Sequence, residues 1–391
     1  MASVADSKGL AKEADDSAQD FRFYDNRQNY LLFVNTCSEK WVVAQRVARE
    51  LDLIEPKQPA IRFFDAGIGD GTILARVIRQ MHRRFERLPF FIGGKEISLE
   101  DIRLFLDKVP DRLFEHPEMV LAITNISYVD APWLHPSKPE AAARMVWKEV
   151  PLKGSTTADF ERQIQELQPF LTENWKTTVS EKTGSMIPET PTVLILYRED
   201  CRFLLDQIIP QRDKPEANYD LVLASQPFRL RASVDFKAKR VLAPLAKALR
   251  AGGRLLGIHS AGSDPGMEIV QRIWPGEDPF DTSRHQLVEA TRQALGEQAK
   301  DFNFDPLPAA RALFRYELNT LPDEIDRQSA TIGTSTLLAA WNAAVYVAQI
   351  EDERITKAMS GPEYLEATRA VLRKYGELWF NDESYVISRN R

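Results

Sequence analysis

The stretch from Ile61 to Arg84 constrains this chain more than any other. An apolar run, Ile61–Asp65 (IRFFD), leads into Ala66-Gly67-Ile68-Gly69-Asp70-Gly71, and Thr72–Arg84 follows with Ile73, Leu74, Val77, Ile78 and Met81 on one helical face. That pattern reads as strand, glycine turn, helix. The glycines let the backbone turn sharply and approach a ligand closely, because a Cβ would obstruct both. The free amides of the helix start then face that ligand and favour negative charge. So far this suits any nucleotide-like cofactor. Two details narrow it. A dinucleotide fingerprint wants Gly-x-Gly-x-x-Gly, whereas here the third glycine falls one place early and Thr72 stands in the last position. Asp70 among the glycines would repel a pyrophosphate but would suit an ammonium or a sulfonium.

Around this segment the chain alternates. A second strand is expected at Phe90–Gly94 with Glu96 just beyond, a helix over Ser98–Lys108, and a third strand at Met119–Ile123 that ends at Thr124 and Asn125. The alternation predicts a parallel sheet covered by helices on both faces. It resumes with a strand at Tyr219–Ser225, a helix over Phe236–Arg250 stopped by Gly252–Gly253, and a strand at Arg254–Ile258. Between 130 and 217 the rhythm breaks, which reads as an insertion capping the substrate. Its Thr192–Tyr197 run, followed by Glu199 and Asp200, rivals Met119–Ile123 for the third strand position. The expected organisation is a disordered tail at 1–20, a helical cover at 21–58, the two halves of the α/β domain at 59–129 and 218–285, and a helical part at 286–391. The cover's helix, with Trp41, Val42, Ala44, Val47 and Ala48, is expected to be capped by Ser38. The aromatic and polar cluster before it either anchors this segment or walls a ligand site; in the second case Tyr24, Arg27 and Tyr30 are its substrate contacts.

Composition removes several function classes. The chain of 391 residues carries 57 acidic against 51 basic side chains, a net charge of −6, so it has no general pull toward phosphate backbones or anionic lipid. Cys37 and Cys201 make neither a zinc knuckle nor a disulfide framework, which fits a reducing, cytoplasmic setting. No run approaches the roughly 18–20 apolar residues of a membrane helix, and the start lacks a signal-peptide pattern. His-Glu-x-x-His, Gly-x-Ser-x-Gly and Walker motifs do not occur, so no metal is expected, nor serine-hydrolase or P-loop chemistry.

Asp65, Gly67, Gly69 and Gly71 resemble, position for position, the first motif of the class I S-adenosylmethionine-dependent methyltransferases, an acidic residue followed by Gly-x-Gly-x-Gly after the first strand. The resemblance covers Ile61–Asn125 and Tyr219–Gly262. It implies a doubly wound, mostly parallel, seven-stranded Rossmann-like sheet in which Asp65, Gly67, Ile68, Gly69 and Gly71 wrap the amino acid half of the cofactor. Glu96 would take the ribose hydroxyls, a sound role for a carboxylate. The acidic residue the family usually places near the adenine is not clear here, and Asn125 takes that place. Ser225-Gln226-Pro227-Phe228 resembles the Asp/Asn/Ser-Pro-Pro-Tyr/Phe signature of nitrogen methyltransferases, with Gln226 in place of the first proline. On that reading Ser225 and Phe228 face the methyl group; otherwise they form a proline turn with an inward aromatic. His259 is either a base or substrate contact, or a core-edge histidine. The implied activity is in-line methyl transfer from S-adenosylmethionine to an N, O or S nucleophile of a small molecule, leaving S-adenosylhomocysteine. The alternatives are a protein or peptide N-methyltransferase, a non-catalytic relative that binds the cofactor, and, furthest from the motif, a dehydrogenase. Monomer and homodimer both stay open.

Overall fold

The computed structural model describes residues 27–180, 186–319 and 332–391. The strands, in chain order, are β1 (Ile61–Asp65), β2 (Phe90–Lys95), β3 (Met119–Thr124), β4 (Val146–Leu152), β5 (Thr177–Val179), β6 (Met186–Pro188), β7 (Thr192–Arg198), β8 (Tyr219–Ser225), β9 (Leu249–Ser260), β10 (Phe302–Asp305), β11 (Leu313–Glu317) and β12 (Trp379–Arg389). β5 and β6 form a separate hairpin. The others build one ten-stranded sheet in the order β10-β12-β9-β8-β1-β2-β3-β7-β4, with β11 paired to β12.

At its centre β3, β2, β1, β8 and β9 run parallel. Buried on both faces, they are the near-continuous apolar runs that parallel strands require. The chain steps outward from β1 to β3, then returns to the other side of β1 as β8. This reversal defines the doubly wound, Rossmann-like fold, and its ligand crevice lies beyond the carboxyl ends of β1 and β8. One face buries Leu74, Val77, Ile92, Leu121 and Ile258 against Val43 and Val47 of the Glu39–Leu51 helix. The other buries Phe64, Val222, Leu242, Leu245 and Tyr385. Each such side chain taken from water contributes about 1.5–3 kcal/mol.

The structure settles the rivalry for the third position. β3 lies beside β2, and β7 pairs antiparallel with the far side of β3, Val120 opposite Tyr197. The sheet thus has ten strands rather than seven, because both the mid-chain segment and the C-terminal third add to it. The mid-chain segment supplies β4 and β7 at the edge beyond β3. The C-terminal third supplies β10 and β11, and β12, which runs antiparallel to β9 and pairs Asp382 with Ser260 and Glu383 with His259.

Two local expectations also give way. Val234–Lys237 and Ala243–Lys247 are helical, but a wider π-type turn, Ala238–Leu242, lies between them just before Pro244. Proline lacks the N–H that would continue the regular ladder. Gly252 and Gly253 lie inside β9 at an irregularity in its pairing with β8, not at a helix end. A Cβ on Gly253 would fall 2.5 Å from the Tyr219 carbonyl oxygen, so the bulge requires glycine there. Among the described residues no helix is long and apolar enough to cross a membrane.

Candidate functional site

The three loop glycines do different work. Gly71 has φ +77° and opens the Thr72–Arg84 helix, with Phe105 packed so close that a Cβ would lie 2.2 Å from its ring. Gly69 has φ +56° and faces the Tyr30 hydroxyl. Gly67 faces open space, since a Cβ built there meets nothing within 4 Å. The loop is therefore anchored at its helix end and clear at its strand end, beside the crevice between β1 and β8.

Carboxyl groups surround that clearing. Asp65 ends β1, is 2% exposed, and accepts the Gly67 N–H at 3.1 Å. Burial, opposed by that hydrogen bond and reinforced by Glu96, pushes its pKa up to about 7. Glu96 follows β2 and accepts the N–H groups of Gly69 at 2.7 Å and of Ile97 and Ser98 at 2.8 Å each. Its pKa is also raised, by burial and then by Asp101. Three backbone amides thus orient the Glu96 carboxylate and still leave acceptor capacity for a diol. Asp70 behaves differently: burial raises its pKa, but Lys40, Thr72 and Lys108 outweigh burial and the net shift is downward. Lys108 Nζ donates to the Asp70 carbonyl at 2.7 Å. Two buried acids held above their ordinary range are relieved by a cation and penalised further by a phosphate.

Around the loop the structure gathers residues that the sequence pattern did not single out. Tyr128, just beyond β3, feels the charges of Glu96 and Asp65, which together with burial raise its pKa. Lys95 places its ammonium 4.4 Å from the centre of the Tyr128 ring, and burial lowers its pKa. Trp175, fully buried, donates Nε1–H to the Glu96 carbonyl at 2.9 Å. Asn125 follows β3 directly. Its amide donates to the carbonyls of Asn174 and Thr190 and accepts the Thr192 N–H at 2.8 Å, so it ties the end of β3 to the mid-chain segment. That same segment also carries Trp175, and it braces the ends of β2 and β3.

From the N-terminal cover, Tyr30 donates its hydroxyl to Asp70 at 3.3 Å. Tyr24 lies outside the described residues; Arg27 begins the Arg27–Thr36 helix, and its side chain is not among those described. Ser38 precedes the Glu39–Leu51 helix without capping it; its hydroxyl accepts the Glu317 N–H at 2.9 Å and fastens the cover to β11.

Beyond β8, Ser225 is half-buried while Phe228 is buried in the core, with the Lys237 ammonium 5.3 Å from its ring centre. The residue that turns toward the rim is Gln226. Its φ of +48° is rare for a side-chain-bearing residue, and its Nε2 donates to Ser260 Oγ at 2.9 Å and toward Asp382 Oδ1 at 3.4 Å. His259 is 3% exposed with Nε2 2.9 Å from Glu383, whose other oxygen meets Arg284 at 2.6 Å. Successive strand residues point to opposite faces, so His259 and Glu383 face the Arg284–Leu295 helix and Ser260 and Asp382 face the Glu39–Leu51 helix. Sequence offered Ser225, Phe228 and His259; the geometry brings Gln226, Ser260 and Asp382 together instead.

A doubly wound sheet with a glycine loop at its reversal point and acids around a clear crevice defines a Rossmann-like fold. No protein-family model matches the chain, and no curated protein matches it. Among solved structures it is similar to a protein assigned as a sarcosine dimethylglycine methyltransferase from Galdieria sulphuraria, at 9% identity over 93% of this chain and 86% of that one, TM-score 0.34. It is similar also to a geranyl diphosphate methyltransferase in complex with GPP and sinefungin, at 12% identity over 89% and 78%, TM-score 0.31. The [4+2]-cyclase SpnF is a further match, at 12% identity over 96% and 85%, TM-score 0.32.

Proposed function

We propose that the protein is an S-adenosylmethionine-dependent methyltransferase of the class I type acting on a small molecule. The observation that carries this reading is the pairing of an open Gly67 with two buried, upshifted carboxyls, Asp65 and Glu96, at the reversal point of the sheet. A cationic cofactor fits that cradle and a pyrophosphate does not. When bound, S-adenosylmethionine supplies an electrophilic methyl on a sulfonium. Asp65, Gly67, Ile68, Gly69 and Gly71 hold its amino acid half, Glu96 takes the ribose hydroxyls, and Tyr128 supplies an aromatic face near them. Transfer forms a bond from the acceptor atom to the methyl carbon while the carbon–sulfur electron pair stays on sulfur, giving S-adenosylhomocysteine. The chain's contribution is alignment and exclusion of water. A small acceptor is favoured over a protein substrate because the cover reaches the loop through Tyr30 and Asp70.

Calorimetric titration with S-adenosylhomocysteine, repeated on Gly67→Leu and Glu96→Ala, tests the reading. Micromolar binding to the native chain, weakened at least tenfold in both variants, supports it. Binding of NADH without binding of S-adenosylhomocysteine sinks it and returns the site to a dehydrogenase.

A further inference from the structure

The acceptor side of the crevice holds a group that the cofactor does not use. Asp382 is fully buried in β12, next to the rim, and its Oδ2 has no hydrogen-bond partner among the described residues. Its Oδ1 faces the Gln226 amide at 3.4 Å. Two residues on, Ser384 accepts from Arg46 of the Glu39–Leu51 helix at 2.9 Å, so this face of β12 lies against the cover. The ionisable groups that act on Asp382 are Glu39, Asp264 and Lys40. Asp264 has both oxygens occupied, by the N–H groups of Met267 at 2.8 Å and Asn381 at 2.9 Å. Lys40 pairs with Glu39 at 3.2 Å. Asp382, whose carboxyl the Ser260 side chain also hydrogen-bonds, keeps Oδ2 as an acceptor that no donor meets, as Glu39 keeps Oε2 beside its ion pair with Lys40.

Aromatic rings connect this acid to the glycine loop. Tyr316, which feels Asp382 and Glu39, lies 6.0 Å from Phe33; Phe33 lies 4.8 Å from Tyr346; and Tyr346 lies 6.0 Å from Tyr30, whose hydroxyl reaches Asp70. The chain already places one ammonium in this setting: Lys40 Nζ is 5.6 Å from the centre of the Tyr30 ring and paired to Glu39. Rings beside a carboxylate attract cations, and the acids here repel an anionic acceptor.

We infer that the methyl acceptor is an amine, held between Asp382 and the Tyr30–Phe33–Tyr316–Tyr346 rings, with Asp382 Oδ2 taking the proton its nitrogen must shed. The inference rests on the methyltransferase reading and names the substrate class of that site. An alkylammonium has no lone pair to attack with. Passing one proton to the carboxylate leaves a neutral nitrogen with its pair free and a neutral carboxyl, so charge and atoms balance. Burial and the neighbouring Glu39 and Asp264 make the Asp382 carboxylate a stronger proton acceptor, and the positive charge of a bound ammonium favours the ionised form from which it must act.

The test uses the full chain saturated with S-adenosylhomocysteine, titrated with phenethylamine and n-butylamine against phenethyl alcohol, n-butanol and phenylacetate. The amines should bind at least tenfold tighter than their alcohol and acid counterparts. Asp382→Asn should abolish that preference while S-adenosylhomocysteine affinity stays within twofold. Alcohols or the acid binding as tightly as the amines, no amine binding at millimolar concentration, or a preference that survives in Asp382→Asn overturns the inference. Should the variant not fold, the ranking on the native chain decides alone. Failure to bind S-adenosylhomocysteine is a different result and overturns the methyltransferase reading instead.

Discussion

The two sides of the crevice are built by opposite means. On the β1–β2 side polar groups are satisfied within a few residues: Glu96 takes three backbone amides, Asp65 takes the amide of Gly67, and Asp70 is held by Tyr30, Thr72 and Lys108. On the β9–β12 side Asp382 Oδ2 and His259 Nδ1 are buried without hydrogen-bond partners among the described residues. The first side is a preformed cradle whose shape is set by backbone. The second stores unmet hydrogen-bonding capacity, which a bound molecule can meet. A site that must grip one constant ligand and discriminate another gains from that division.

The sharpest way to break the comparison is to separate the loop's anchored end from its clear end. Gly71→Ala must place a Cβ 2.2 Å from the Phe105 ring at a left-handed φ of +77°. Backbone strain and overpacking together should cost about 3 kcal/mol of stability, read by urea denaturation. Gly67→Leu projects into open space, so the same measurement should move by less than about 0.5 kcal/mol. S-adenosylhomocysteine affinity should nonetheless fall about 100-fold, equivalent to about 3 kcal/mol. A Gly67→Leu protein that keeps its affinity would show that the cradle lies elsewhere.

Acid chemistry gives a smaller and more specific effect. The Asp65 pKa of about 7 lies above its unfolded value, so between roughly pH 4 and 7 the folded chain holds more protons than the unfolded one. Stability therefore falls as pH rises through that window and levels off above it, by at most about 1.4 kcal/mol per pH unit from this group. Asp65→Asn should flatten the slope in thermal melts run from pH 4 to 8. A cationic ligand favours the ionised form, so its binding near pH 6 should release protons, measurable as a buffer-dependent binding enthalpy. Proton release that persists undiminished in Asp65→Asn would move the effect to Glu96.

The same division explains what could be read from sequence. β1, its glycine loop, Glu96 and the β8–β9 pair announce themselves through local signals, short apolar runs closed by glycine or by an acid. The order of β3 and β7 could not be read that way, because both are apolar runs and only pairing direction separates them. β12 was hidden for a different reason. Asn381, Asp382, Glu383 and Ser384 interrupt its apolar pattern like a loop, yet Asp382, Glu383 and Ser384 pair with a strand more than a hundred residues earlier in the chain. Polar residues inside a buried strand contradict local pattern where the site needs them. Asn125 stands at a strand end like a ligand-binding residue, and what no local pattern could give is that its amide bonds within the fold to Asn174, Thr190 and Thr192.

The smallest predicted effect concerns the join between the two sides. Tyr30 belongs to the ring wall on the acceptor side and also donates to Asp70 of the cradle at 3.3 Å. Tyr30→Phe keeps the ring and removes the hydroxyl. Stability should drop by about 1 kcal/mol, the worth of one buried hydrogen bond. S-adenosylhomocysteine affinity should weaken by two- to fivefold, because Asp70 keeps Thr72 and Lys108 and the loop keeps most of its shape. The amine preference should survive, since the ring face and Asp382 remain. Tyr30→Ala removes both parts and should lose amine binding more than cofactor binding. Equal losses of the two in Tyr30→Phe would mean that the cradle and the acceptor pocket behave as one unit, and the division between them would fail.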